Sequence, residues 1–322
     1  MKKFVVTALI FAIALMACAK PRDQALYPAW HPFKSAKAKE RYLADYDAWA
    51  KSWPVPSETR MVNTTFGSTF VRISGPAGAP PLILLHGVAG NGLQWMPNAR
   101  DLSARFRIYV VDIISENGRS VYTRLPKNAE DYNVWLDGLL DGLGLKKGVN
   151  MMGLSFGGWL TAHYALARPD RLNKAVLAAP VGAIQDINPE WIKRAILTAV
   201  IPRKSSMDSF AAWQSPYYTK EQPAAAQRWY ANAFLAFRSF RGKPMVPPTI
   251  MSDDELKGIK VPVLFLAGDH EVIFDSPKAF ERLHRVAPAI RTLLVKDACH
   301  DLTAARAGFV DAAVTEFILG RK

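Results

Sequence analysis

A serine flanked by glycines, at the junction of a predicted strand and a predicted helix, constrains this chain more than any other feature. Ser155 lies in the segment Gly153-Leu154-Ser155-Phe156-Gly157, between the apolar run 148–152 and a helical pattern at 158–167. A strand that becomes a helix within one or two residues strains the backbone at the corner, and glycines on either side let the two elements approach closely. This context predicts that Ser155 is a nucleophile held at a strand tip; a plain tight turn is the alternative interpretation.

A serine hydroxyl needs a base that accepts its proton before it attacks a carbonyl at neutral pH. The chain contains six histidines: His31, His86, His163, His270, His284 and His300. His300 follows a run at 290–295 that has the pattern of a buried strand, so we expect it at the same sheet edge as Ser155. His86 precedes a glycine in a loop and is predicted to shape that loop. We therefore predict that His300 is the base.

Five other segments are apolar runs or loops of distinctive composition. They are 82–87 with its ending His86-Gly87, 107–112 with Asp112, 116–120 (Glu-Asn-Gly-Arg-Ser), 261–268, and 290–295 with the following Cys299-His300. Together with the segment around Ser155, this series resembles the α/β-hydrolase superfamily over most of the chain. Ser115 and Cys299 depart from the family's pattern, because glycine is usual at both positions. The resemblance implies an α/β fold with a mostly parallel central sheet flanked by helices, and with an inserted helical lid.

The resemblance also implies which carboxylate orients the base. Such an acid fixes the histidine tautomer and stabilises the imidazolium. In the family it lies three residues after the glycine that ends its strand, here Gly268, and that position is Glu271. Asp269 is the alternative acid, with a turn or cap as its other possible role. The resulting order along the chain, serine then acid then histidine, is the order of this superfamily.

Backbone N–H groups are expected to stabilise the oxyanion of the transition state. The resemblance implies the N–H of Phe156, directly after the nucleophile, and one from the loop after His86-Gly87, for which we predict Val88. Each such donor typically contributes a factor of roughly 100 to 1,000 in rate. No metal and no organic cofactor is expected for this chemistry.

The segment 185–250 breaks the alternation of strands and helices and resembles the lid of many α/β-hydrolases. It contains ten aromatic residues among 66: Trp191, Phe210, Trp213, Tyr217, Tyr218, Trp229, Tyr230, Phe234, Phe237 and Phe240. We predict a hydrolase core at 61–184 and 251–322, with the lid between its two parts. Aromatic and aliphatic lid residues that face Ser155 would then form an apolar pocket.

The N-terminus has the layout of a secretory signal. Two lysines precede an apolar run from Phe4 to Ala17, which is too short to span a bilayer. The segment Leu15-Met16-Ala17-Cys18 resembles a bacterial lipobox, so residues 1–17 are predicted to be a signal peptide and Cys18 a lipidated N-terminus. The alternative is cleavage at an Ala17-Cys18-Ala19 site, which would give a soluble exported protein. With lipidation, an outer-membrane lipoprotein facing the periplasm or the surface is expected.

Residues 18–60 are predicted to be a polar tether followed by an amphipathic helix. Tyr42, Tyr46, Trp49 and Trp53 recur at helical spacing and form one aromatic stripe, which we expect to pack against the core. If Cys18 is lipidated, Cys299 has no partner within the chain and no disulfide is expected.

The predicted function is that of a membrane-tethered serine hydrolase, a carboxylesterase of moderately apolar esters. The net charge of +13 is spread along the chain, and no nucleic-acid-binding module is recognisable, so the expected partners are a small ester substrate and the membrane. A monomer is expected. Alternatives within the fold are a peptidase, a lactonase or a thioesterase. Alternatives of other classes are a catalytically silent binding protein at the cell envelope and a lipid-binding or envelope-assembly protein.

Replacing Cys18 tests the anchor. We expect Cys18→Ser to abolish lipidation, because the acyl acceptor is the cysteine thiol, and to move the protein out of the membrane fraction. Mass spectrometry of the mature N-terminus and fractionation of cells would detect both changes. A Cys18→Ser protein that stays in the membrane with the mass of the wild type would contradict the lipobox interpretation.

Overall fold

One sheet of nine strands organises residues 27–200 and 203–320, which are the residues that the computed structural model describes. The strands are β1 (Ser57–Thr64), β2 (Gly67–Ser74), β3 (Pro81–Leu85), β4 (Arg107–Val111), β5 (Val121–Tyr122), β6 (Val149–Leu154), β7 (Leu172–Ala178), β8 (Val263–Gly268) and β9 (Arg291–Val295). Their order is β1-β2-β4-β3-β6-β7-β8-β9, and β5 pairs with β2. Only the pairs that include β2 are antiparallel. The predicted fold class is confirmed.

Helices cover the sheet and bury its central strands completely. The α-helices in the described ranges are α1 (Ala36–Ala50), α2 (Ala99–Ser103), α3 (Ala129–Gly142), α4 (Phe156–Ala167), α5 (Pro189–Val200), α6 (Lys204–Gln214), α7 (Pro216–Glu221), α8 (Pro223–Ser239), α9 (Asp253–Gly258), α10 (Ser276–Val286), α11 (Leu302–Ala305) and α12 (Ala307–Leu319). Two 3₁₀ helices span Gly92–Asn98 and Pro169–Arg171. Every residue of β6 and of β8 is buried, as expected for parallel strands covered on both faces.

The turn between β1 and β2 differs from the one expected from the sequence. A strand pair over 61–74 that turns at Gly67-Ser68 is the sequence expectation, but the hairpin spans 57–74 and turns at Thr65-Phe66. Phe66 is completely buried whereas Thr65 is exposed, so one of the two turn residues packs into the core. Gly67 is instead the first residue of β2, where β5 passes so close that only glycine fits: a Cβ on Gly67 would lie 2.2 Å from the Val121 oxygen.

Helix α1 packs its aromatic side chains against the rest of the molecule, but it ends at Ala50, so Trp53 of the predicted stripe is buried from beyond the helix. The Ser35 hydroxyl caps its N-terminus by accepting a hydrogen bond from the N–H of Ala38. Tyr42 and Tyr46 are buried in the core, and the Tyr46 hydroxyl donates to Asp112 Oδ2 at 3.1 Å. The Asp112 carboxylate also accepts hydrogen bonds from the backbone N–H groups of Gly92 and Arg119, so it joins two loops to α1.

Four helices, α5 to α8, occupy most of the segment between β7 and α9. Helix α5 has no buried residue, whereas α8 packs along α1 and buries Asn232. The Asn232 side chain accepts from Asn91 Nδ2 and donates to Asp45 Oδ2, both at 2.9 Å. Polar contacts therefore attach α8 to α1 and to the loop after β3.

No helix within 27–200 and 203–320 is both long enough and apolar enough to cross a membrane. The predicted signal peptide and Cys18 lie outside the described residues. The sequence interpretation of the N-terminus therefore stays a prediction.

A buried carboxyl group in α12 makes the stability of the fold depend on pH. Asp311 Oδ1 accepts a hydrogen bond from Asn98 Nδ2 at 2.8 Å, while its Oδ2 has no partner among the described residues. Burial raises the pKa of Asp311 to about 8. The folded state therefore keeps a proton between about pH 4 and 8 that the unfolded chain loses, and stability falls as the pH rises through this window.

Replacing Asp311 by asparagine removes this dependence. We expect the free energy of unfolding of Asp311→Asn, relative to the wild type, to increase between pH 5 and 8 by at most about 1.4 kcal/mol per pH unit. Urea denaturation at several pH values measures the difference, with Asp170→Asn at an exposed position as the control. Parallel stability curves for Asp311→Asn and the wild type would show that Asp311 does not titrate in this range.

Candidate active site

Ser155 occupies a strained turn between β6 and α4. Its φ of +56° and ψ of −115° lie outside the regions that residues with a side chain normally adopt. The turn is possible because Gly153 and Gly157 meet there: a Cβ on Gly153 would lie 2.0 Å from the Gly157 oxygen. A Cβ on Gly157 would lie 2.3 Å from the Leu85 oxygen. Both glycines are therefore required, and the arrangement places Ser155 in the wall of a cavity.

His300 and Glu271 form a buried hydrogen-bonded pair at the same edge of the sheet. His300 follows β9, Glu271 follows β8, and His300 Nδ1 lies 3.0 Å from Glu271 Oε2. The other carboxylate oxygen accepts from the backbone N–H groups of Val272, at 2.9 Å, and Ile273, at 2.8 Å. An ionised carboxylate only accepts hydrogen bonds, so Nδ1 carries the proton and Nε2 is left as an acceptor. His300 lines the same cavity as Ser155.

Asp269, the alternative acid, is hydrogen-bonded to the backbone instead. Its carboxylate accepts a hydrogen bond from the N–H of Ala298 at 3.2 Å and lies 3.8 Å from the ammonium of Lys296. Burial alone would raise the pKa of Asp269, but the N–H groups of Ala298 and Asp297 outweigh it and hold the pKa below its ordinary value. Asp275 caps α10. Of these three carboxylates, the structure brings Glu271 to His300.

Two backbone N–H groups near Ser155 have no hydrogen-bond partner among the described residues: those of Val88 and Phe156. Phe156 is the first residue of α4, where an N–H has no acceptor within the helix. On either side of Val88 the N–H groups are occupied, since Gly87 donates to Gln94 Oε1 and Ala89 to Glu116 Oε2. The loop lies beside the serine, because a Cβ on Gly87 would be 3.3 Å from Ser155 Cβ.

A cavity of about 920 Å³ lies in front of Ser155 and His300. Its aromatic lining comes from α1 and from the segment between β7 and α9: Trp49, Trp191, Phe210, Tyr218, Trp229, Tyr230 and Phe237. Its polar lining includes Asp45, Gln94, Gln214, Gln222, Arg228 and Asp301. Arg228 and Asp45 form an ion pair at 3.1 Å, so these two charges neutralise each other.

The contribution of α1 to this cavity was not predicted. Trp49 belongs to the aromatic stripe, which the sequence indicates only as a packing surface, and Gln94 carries no distinguishing pattern at all. Tyr230 and Phe237 of the segment 185–250 line the cavity as well, in agreement with the expected apolar pocket. The spacing of aromatic residues along a helix does not show that the same helix face both packs against the core and lines a pocket.

Two further groups near the site are held in unreactive forms. Burial lowers the pKa of His86 to about 4. Its ring donates to the Gly87 oxygen through Nδ1 and accepts from the N–H of Ile113 through Nε2, so it shapes the loop as expected. Burial raises the pKa of the Cys299 thiol to about 12, and the thiol donates to the His270 oxygen. A thiol that stays protonated is not a competing nucleophile.

Comparison with known proteins shows the family to which the chain belongs. A family model described as the alpha/beta hydrolase fold matches residues 80–202. The chain is 32% identical over 280 residues to the uncharacterized carboxylesterase nap of Bacillus subtilis (strain 168), which covers 86% of this chain and 92% of the relative. It is also 32% identical over 290 residues to carboxylesterase YbfK of the same strain, covering 89% and 97% of the two chains. The chain therefore belongs to the α/β-hydrolase family, and it is a hydrolase of that family.

Solved structures give the same result. The crystal structure of carboxylesterase CesB (YbfK) from Bacillus subtilis matches with a TM-score of 0.79 and 31% identity, over 89% of this chain and all of the other. That of naproxen esterase (carboxylesterase NP) from the same organism matches with a TM-score of 0.81 and 31% identity, over 88% and 99%.

The contact between His300 and Glu271 leads to a prediction about the acid. Glu271→Gln keeps the size of the side chain but replaces the carboxylate by an amide. An NH₂ group that faces His300 Nδ1 cannot accept its proton and would reverse the tautomer of the ring, so we expect kcat to fall by up to about 10⁴-fold. Asp269→Asn is the matched control and should leave kcat near the wild-type value. Assays of ester hydrolysis by the purified variants measure both values of kcat. A large loss in Asp269→Asn with an active Glu271→Gln would place the acid at residue 269.

Proposed function

We propose that this protein is a serine carboxylesterase. Ser155 is the nucleophile, His300 the general base and Glu271 the acid that orients His300. The observation that carries the proposal is the position of Ser155 and His300 in the wall of one cavity, with His300 hydrogen-bonded to the buried Glu271. The relatives named as carboxylesterases support the same reaction type.

The reaction follows from this arrangement. Ser155 Oγ attacks the carbonyl carbon of the ester and its proton passes to His300 Nε2, while Glu271 stabilises the resulting imidazolium. The negative charge that develops on the carbonyl oxygen is stabilised by the N–H groups of Phe156 and Val88. The tetrahedral intermediate then expels the alcohol, which takes the proton from His300. Water then attacks the carbonyl carbon of the acyl-enzyme, with His300 again accepting the proton, and the carboxylic acid product is released.

The cavity favours esters with a bulky apolar part. Its volume of about 920 Å³ lies at the upper end of the range for small-molecule sites, and aromatic side chains form much of the wall. We propose that α5 to α8 act as the lid that completes this wall, because Trp191 of α5, Phe210 of α6, Tyr218 of α7 and Phe237 of α8 all line it.

The proposal includes a location at the cell envelope. It is supported by the sequence, where a basic start, a short apolar run and Cys18 have the order of a lipoprotein signal. Acyl chains on Cys18 would hold a monomeric, exported enzyme at the outer membrane, and the Cys18→Ser experiment tests this part by itself.

Hydrolysis of a series of p-nitrophenyl esters tests the proposed reaction. We expect turnover of esters from acetate to palmitate to depend on Ser155, and the chain length with the highest kcat/KM to report the usable depth of the cavity. Ser155→Ala should abolish turnover without changing the melting temperature. Turnover that survives in Ser155→Ala at the wild-type rate would refute the nucleophile. A wild type that neither hydrolyses these esters nor reacts with a fluorophosphonate would indicate a silent binding scaffold.

A further inference from the structure

The loop after β3 is held in a conformation that its own residues do not favour. Residues 87–90 form a tight turn, in which the Gly90 N–H donates to the Gly87 oxygen at 3.1 Å. The third residue of the turn is Ala89, with a φ of +57°. Turns normally place glycine at a position with positive φ, so a residue with a Cβ must be held there by its surroundings.

Two neighbouring side chains hold Ala89 from both sides. Glu116 Oε2 accepts from the Ala89 N–H at 2.6 Å, and Asn117 Nδ2 donates to the Ala89 oxygen at 2.6 Å. Glu116 is 5% exposed and Asn117 9% exposed, so water competes little for these bonds. Burial raises the pKa of Glu116, while the positive charge of Lys243 and the Ala89 N–H oppose that rise.

The geometry of the turn relates these contacts to the proposed oxyanion site. The Val88 N–H and the Gly87 C=O belong to one planar peptide group and point in opposite directions. The Gly87 oxygen accepts from the Gly90 N–H across the turn and from His86 Nδ1 at 2.8 Å, while Glu116 holds the N–H of the next peptide group, the one between Val88 and Ala89. The peptide groups on both sides of the Val88 Cα are therefore held, the first by His86 and Gly90 and the second by Glu116, and the direction of the Val88 N–H depends on both.

We propose that Glu116 and Asn117 are positioning residues that hold the Val88 N–H towards the carbonyl oxygen of the substrate. The inference rests on the proposed esterase function and adds to it two side chains that do not touch the reacting atoms. Loss of either contact lets the turn relax and misdirects one oxyanion donor. Such a donor acts mainly in the transition state, so kcat falls while KM changes little.

Variants at the two residues test the proposal with p-nitrophenyl butyrate as the substrate. Glu116→Leu removes the acceptor, and we expect kcat to fall by about 100-fold, the lower end of the loss for one oxyanion donor, with KM within about threefold of the wild type. Glu116→Gln keeps an oxygen that can accept from Ala89 and should retain most of kcat. Asn117→Asp removes the donor on the other side and should lower kcat in the same way, which keeps the test valid if Glu116→Leu does not fold.

Ser115→Ala is the matched control for a merely structural role. Ser115 lies in the same loop and is buried, but its hydroxyl bonds to the Tyr132 hydroxyl at 2.6 Å rather than to the oxyanion turn. The Ser115→Ala substitution should lower the melting temperature without lowering kcat. Equal losses of kcat in Ser115→Ala and Glu116→Leu, or a wild-type kcat in Glu116→Leu and Asn117→Asp, would overturn the inference while leaving the esterase proposal intact. Absence of Ser155-dependent turnover by the wild type would overturn both.

Discussion

The close approach of backbone segments around Ser155 is the constraint on which the rest of the site depends. Gly157 lies against the end of β3 and Gly153 against the first turn of α4, so neither position has room for a Cβ. The Ser155 N–H donates to the Ala178 oxygen at 2.9 Å, which fixes the turn to β7 as well. Three adjacent strands, β3, β6 and β7, thereby hold the unfavourable backbone conformation of Ser155. The loops that carry His300 and Val88 follow strands that end at the same edge of the sheet.

The parts of this structure that the sequence predicts are those that depend on neighbours along the chain. The strand before Ser155, the helix after it and the strands before Glu271 and His300 have local apolar patterns, and the fold class follows from their alternation. Family spacing predicts Glu271 rather than Asp269 as the acid. The contacts that distinguish the two, Glu271 with His300 and Asp269 with the N–H of Ala298, appear only in three dimensions.

What the sequence does not predict is set by contacts between distant segments. The first hairpin turns at Thr65-Phe66, and Gly67 is instead required by the close approach of β5, more than fifty residues later. Likewise Trp49 and Gln94 become part of the cavity because α1 and the first 3₁₀ helix are brought beside the lid helices. The hydrogen bond from the Ala89 N–H to Glu116 joins two loops at residues 27 positions apart, and no local sequence pattern predicts it.

Helix α1 has a second consequence, because it precedes the hydrolase core and yet completes it. Asp45 and Trp49 form part of the cavity wall, and Tyr46 covers the carboxylate of Asp112. Helix α1 is therefore part of the unit that forms the cavity. A shortened chain that began at Ser57 would open the substrate chamber on one side, remove the support of α8 and expose a carboxylate that joins two loops of the core.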